Sequence, residues 1–149
     1  MAAPKTQRYE AFVSDVLQRD LRRLQEQREA VCAQQGEVLQ LQAALQRLQA
    51  EGAPWRTQVD LGCNFFVTAE VPSPDRIFVS LGFGFFAELT LPEALRYLQR
   101  RSRFLESLGE SLTRDSAKIR AHIRLVLEGL RELQGLQELE AATEGPTLE

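Results

Sequence analysis

The sequence predicts a mainly α protein with a small β part: a long antiparallel two-helix coiled coil with two β-hairpins at one end. Apolar residues recur every seven positions along both flanks of the chain. In the middle the period falls to two, and there Leu-Gly-x-x-Phe-Phe is written twice, at Leu61–Phe66 and Leu81–Phe86. The length of 149 residues is that of one ordinary domain, so a single architecture is expected over residues 1–149.

The first helix is expected over about residues 8–51. From Tyr9 to Ala50 there is no Pro and only one Gly, Gly36, among good helix formers: Gln, Leu, Ala, Arg and Glu. Leu17, Leu24, Val31, Val38 and Leu45 form an unbroken apolar track at heptad spacing, which keeps one seam turned toward a partner helix. The second seam position runs Val13, Asp20, Gln27, Gln34, Leu41 and Leu48. Its polar middle reads either as a wet seam that sets register or as side chains that are simply solvated.

The two hairpins are expected over about residues 56–90. Gly52, Ala53 and Pro54 stop the helix, and six of the eight Phe residues fall between Phe65 and Phe86. A short strand, Thr57 to Leu61, leads in. Phe65, Val67, Ala69 and Val71 alternate on one face of the next strand, Ile77, Val79 and Leu81 on a third, and Phe85, Ala87 and Leu89 on a fourth. Gly62 marks one bend, Gly82 and Gly84 the other, and Pro72-Ser73-Pro74-Asp75 separates the pairs. Phe66, Phe78 and Phe86 fall on the opposite faces, so both sides of the strands carry large apolar groups. An isolated hairpin is marginal in water, and open apolar edges are templates for pairing. The expectation is completion by strands of neighbouring subunits; the alternative is a private core with the hairpins packed on each other.

The second helix is expected over about residues 91–138. Thr90, Leu91, Pro92 and Glu93 combine an N-cap, a Pro near the first helical position and a Glu three residues after the cap. Leu91, Leu98, Leu105, Leu112, Ile119, Val126 and Leu133 form its heptad track. Among the companion positions Leu95, Ile123 and Leu130 are apolar, whereas Ser102, Gly109 and Ser116 are small and would let a partner backbone come close. Helices of roughly 42 and 48 residues would each be on the order of 60 to 70 Å long, matched arms suited to folding back on each other. Residues 139–149 are expected to form a disordered acidic tail.

Chemistry-bearing residues are sparse. His122 is the only histidine and lies beside the apolar track of the second helix, where packing is the simpler role. Cys32 and Cys63 are the only cysteines and neither has a Cys or His nearby in sequence, which gives neither a disulfide framework nor a zinc pattern and fits a reducing, intracellular location. Gly82-Phe83-Gly84 lacks a third Gly and is followed by strand alternation where a phosphate-binding loop would open a helix. Paired carboxylates such as Glu138 and Glu140 lie where water cannot be excluded. No catalytic residue, metal ligand or cofactor is therefore expected, and the chain is not expected to be an enzyme. The net charge of −3, with basic and acidic residues interleaved, argues against direct nucleic-acid binding. Arg96, Arg100, Arg101 and Arg103 form a local basic patch, flanked by Glu93 and Glu106, that reads as a solvated helix surface. MAAPKTQRYE lacks the apolar stretch of an export signal, and the apolar runs are too short to span a bilayer, so no membrane partner is expected.

The layout of long helix, two hairpins and long helix, with the strand text QVDLGCNFFVTAEV and RIFVSLGFGFFAEL, resembles the α-class prefoldin subunits. RYEAFVSDVLQRDL and IRAHIRLVLEGLRELQGLQ are similar to the prefoldin-like members of that class. The resemblance implies a non-catalytic, ATP-independent co-chaperone subunit in a complex of two α and four β subunits, whose hairpins build a central double barrel and whose coiled-coil ends hold clients. The implied partners are β-class prefoldin subunits, another α-type prefoldin-like subunit, a larger chaperone assembly and transcription regulators. The implied locations are cytoplasm and nucleus, with the centrosome as a further one. Carried onto this chain, subunit assembly would fall to Val59, Leu61, Phe65, Val67, Ile77, Val79, Leu81, Phe85 and Leu89. Client or partner contacts would fall to Tyr9, Phe12, Val13, Leu130, Leu133 and Leu136. Two other readings stand beside it: a transcription-cofactor scaffold that tethers regulators by its coiled coil without touching DNA, and a plain structural coiled coil.

Overall fold

A computed structural model describes residues 3–143 of the chain. It is mostly helical, with two small antiparallel sheets in the middle. The element order is α1 (Ala3–Ala11), a π-helical segment (Phe12–Leu17), α2 (Gln18–Glu51), β1 (Trp55–Gly62), β2 (Phe65–Val71), β3 (Arg76–Gly82), β4 (Phe85–Thr90) and α3 (Leu91–Thr143). Two compact units divide it: Met1–Val31 with Leu108–Glu149, and Cys32–Ser107.

In the first unit the two helical segments run antiparallel. Phe12 meets His122 ring edge to ring face at 6.0 Å, and further along Val31 faces Gly109. The buried positions are Thr6, Val13, Leu17 and Val31 on one segment, and Leu112, Ser116 and Leu130 on the other. These follow the heptad tracks, because a stripe repeating every 3.5 residues stays on the side facing the partner helix. The π segment is a departure from the single regular helix the sequence predicts. The Gln18 N–H donates to the Val13 carbonyl, five residues back, while the flanking residues Ala11 and Gln18 keep helical dihedrals. The helix therefore widens by one residue without breaking.

In the second unit, Val38 on α2 and Leu91, Ala94, Leu98 and Leu105 on α3 are buried, Leu105 to 1% exposure. An Arg101 guanidinium N–H donates to Gln34 Oε1 at 3.5 Å, again joining segments that run in opposite directions. The companion seam of the first helix is only partly inward. Leu48 is half-buried, but Gln34 and Leu41 are exposed and Gln35 and Gln42 are half-buried instead. With Gln at the shifted positions, this flank of the seam is polar.

The α3 start is the capping box expected from Thr90 and Glu93. The Thr90 N–H donates to Glu93 Oε2 at 3.0 Å, and the Glu93 N–H donates to Thr90 Oγ1 at 3.4 Å. The Leu91 N–H also donates to the Asp75 carbonyl at 3.3 Å, which ties the Pro-Ser-Pro-Asp connection to the root of the helix. Helix α3 continues to Thr143, so residues 139–143, expected in the tail, are its last turn. The rest of the expected tail, 144–149, lies outside the described residues. Among the described residues no helix is long and apolar enough to cross a membrane.

Candidate functional site: two uncovered hairpins

Each hairpin is a separate two-stranded sheet, β1 with β2 and β3 with β4. The register pairs Val59 with Val67 and Val79 with Ala87, then slips once before each bend, so that Gly62 faces Phe65 and Gly82 faces Phe85. The two bends share a conformation. Gly62, Cys63 and Asn64 all have positive φ (92°, 52° and 64°), as do Gly82, Phe83 and Gly84 (97°, 51° and 77°). Two successive left-handed residues make a type I′ loop, the turn whose twist matches that of paired strands, and the Gly ahead of it occupies the bulge. That is the physical content of Leu-Gly-x-x-Phe-Phe. In the first hairpin the Gly62 N–H also donates to Asp60 Oδ1 at 2.7 Å.

Directly paired residues share a face, so the register sorts the strands. In the first hairpin Trp55, Thr57, Val59, Leu61, Phe65, Val67, Ala69 and Val71 form one face. The other face carries the Arg56–Glu70 ion pair at 3.1 Å and one large apolar group, Phe66. In the second hairpin Ile77, Val79, Leu81, Phe85, Ala87 and Leu89 share a face, with Phe78 and Phe86 behind it.

Of the residues expected to mediate assembly, Val59, Leu61, Phe65, Val67, Leu81 and Phe85 are exposed, Phe65 at 71% and Phe85 at 69%. Ile77, Val79 and Leu89 are half-buried. Leu81, Ala87 and Leu89 line a groove with Arg96, Tyr97 and Arg100 of α3, so part of the second hairpin's apolar face lies over the first turns of that helix. This accounts for two members of the expected basic patch. Arg101, besides its bond to Gln34, lies 5.6 Å from the centre of the Phe104 ring. Phe83, at the second bend, is fully exposed and was not singled out by strand alternation, because a turn residue has no face. Its signal was its place between two glycines.

The residues expected at the coiled-coil end divide differently. Tyr9, Phe12, Leu133 and Leu136 are exposed, while Val13 and Leu130 are buried in the seam. Tyr9, Leu125, Val126, Gly129, Leu130 and Leu133 line an apolar groove of about 370 Å³. His122 meets Phe12, Cys32 and Cys63 are free and exposed, and among the described residues no group of three His, Cys, Asp or Glu side chains could hold a metal.

The sequence profile of the prefoldin family, described as Prefoldin subunit, matches residues 17–136. The chain belongs to the prefoldin family. It is similar to Protein UXT of Homo sapiens, 56% identical over 134 residues that make up 89% of this chain and 85% of that protein. It is also similar to Prefoldin subunit alpha of Methanosarcina barkeri, 35% identical over 67% of this chain and 60% of that one. Among solved structures, the filamentous PFD of Methanocaldococcus jannaschii has the same fold, with a TM-score of 0.67 at 23% identity over 78% of this chain and 97% of that chain. The prefoldin fold places the two hairpins between the helices that this chain's heptad tracks describe.

Proposed function

We propose that the chain is a non-catalytic α-type subunit of a prefoldin-like co-chaperone complex, joining β-class prefoldin subunits and a second α-type subunit through its hairpins. The observation that carries this reading is the exposure of apolar side chains on two separate two-stranded sheets, the second only partly covered by the first turns of α3. Burying a residue such as Phe65 or Phe85 contributes about 1.5–3 kcal/mol, and the outer strand edges leave backbone donors and acceptors free for a neighbouring strand. Client or partner contact, without ATP, falls to the end where Tyr9, Phe12, Leu133 and Leu136 are exposed. Partners in this reading include a larger chaperone assembly, in the cytoplasm and nucleus and at the centrosome.

A role as a transcription cofactor that tethers regulators by its coiled coil is the competing reading. A tether needs no apolar hairpin faces, so the two are separated by native mass spectrometry of the chain with and without β-class prefoldin subunits. A hexameric mass that disappears on substituting Phe65→Asp and Phe85→Asp supports the assembly reading. A monomer indifferent to β-class subunits would instead favour the tether.

A further inference from the structure

The first unit contains a second concave site that hairpin assembly does not use. Arg19 and Arg22 on α2 and Arg120 and Arg124 on α3 line a pocket of about 760 Å³ whose apolar part is Leu21 and Ile123. Arg23 extends the basic surface on the α2 side, where Glu26 closes it. The helical repeat explains the cluster: residues three and four apart share a face, which stacks Arg19 with Arg22 and Arg23, and Arg120 with Arg124. Like charges at that spacing repel, and Asp15 and Glu26, which border the cluster, are outnumbered by the arginines. Arg19 pairs with Asp20 at 3.5 Å, whereas Arg22, Arg23, Arg120 and Arg124 make no ion pair among the described residues.

We propose that this pocket docks an acidic peptide segment of a partner protein, its carboxylates pairing with Arg22, Arg120 and Arg124 while one apolar side chain rests on Leu21 and Ile123. Charge complementarity selects an anion. The choice of cation narrows it further: Lys5 and Lys118 are the only lysines of the chain, so its basic groups are almost all guanidinium forks, which fit planar carboxylates two oxygens at a time. Asp15 also lines the pocket and Glu26 its edge, which opposes a continuous phosphate track and favours a segment whose acids are spaced. The chain's own Glu138 and Glu140 are held in α3, about 21 Å or more beyond Arg124 at a rise of about 1.5 Å per residue, so these two carboxylates do not fill the pocket. The π segment contributes here too, since Ser14 and Asp15 on its widened turn line the same pocket.

The test is fluorescence anisotropy of the full chain with a short labelled peptide rich in Glu and Asp around a central Leu. The controls are the same peptide with every acid amidated and a single-stranded oligodeoxynucleotide of equal charge. The expected result is acid-dependent binding that weakens as salt rises and falls at least about tenfold for Arg22→Glu with Arg120→Glu. Both arginines are exposed, and unchanged helicity by circular dichroism confirms that the variant folds. Phe85→Asp should leave this binding unchanged, which separates it from hairpin assembly. Absence of binding, equal binding of the amidated peptide, equal binding by the charge-reversed variant or tighter binding of the oligonucleotide would each overturn the proposal.

Discussion

Gly109 faces Val31 across the helix seam with room for one methyl group: a Cβ at Gly109 would stand 3.8 Å from Val31 Cγ1, an ordinary van der Waals distance. Gly in a helix interior costs about 0.5–1 kcal/mol relative to Ala. Gly109→Ala is therefore expected to stabilise the chain by about that amount, and Gly109→Leu to destabilise it by about 1–3 kcal/mol through overpacking. Urea unfolding of the two variants checks the change of sign.

Ser116 lies one heptad further along the same seam. Its hydroxyl is buried and has no hydrogen-bond partner among the described residues. An unpaired buried hydroxyl costs about 1–3 kcal/mol, and Ala is the better helix former. Ser116→Ala should raise the thermal midpoint, and a fall in calorimetry would show that the hydroxyl has a partner in solution.

The Thr90–Glu93 capping box should respond to acid. The Glu93 carboxyl lies below the ordinary carboxylate range, chiefly because it accepts the Thr90 backbone N–H, with the Thr90 side chain, Arg96 and Arg76 acting in the same direction against a desolvation effect. A carboxyl whose folded pKa lies below its unfolded value stabilises above the unfolded value of about 4.5, and that contribution is lost as pH falls through the folded pKa. Glu93→Gln should flatten this part of the acid dependence of unfolding. Thr90→Ala should cost about 1 kcal/mol at neutral pH.

Phe83 sits at φ 51° in the second bend with its ring fully exposed. A left-handed conformation costs an ordinary L residue roughly 1–2 kcal/mol, whereas Asn tolerates it, as Asn64 does at φ 64° in the first bend, one place after Cys63, the equivalent of Phe83. Phe83→Asn should stabilise the isolated chain by about 1 kcal/mol. Gly82→Ala, at φ 97°, should destabilise it. Thermal melts of the two variants should move in opposite directions.

The two main heptad tracks and both hairpins were legible because each rests on a local period: apolar spacing for the helices, alternation and Gly-marked bends for the strands. The companion seam was less so. Leu41 reads as inward from its spacing, yet it is exposed, since a second seam position depends on which flank the partner helix covers. The π segment left no sequence signal, as Phe12–Leu17 reads as ordinary helix. Val13 and Leu130, expected among the contacts near the helix ends away from the hairpins, are buried in the seam, because each stands at a companion heptad position. The arginine pocket was missed because Arg22 and Arg120 are far apart in sequence and come together only when the helices run antiparallel. The i, i+3, i+4 spacing of Arg19, Arg22 and Arg23 was the available hint.

Among the described residues each strand of the hairpins has a single hydrogen-bonded neighbour, so each keeps one open edge, and the hairpins carry the exposed rings of Phe65, Phe66, Phe78, Phe85 and Phe86. Such edges are sticky toward any extended chain, including misfolded ones. On the assembly reading proposed above, neighbouring subunits would cover these edges, and a chain made without them would present the same edges to a protease or a holdase, so its abundance would follow the supply of whatever covers them.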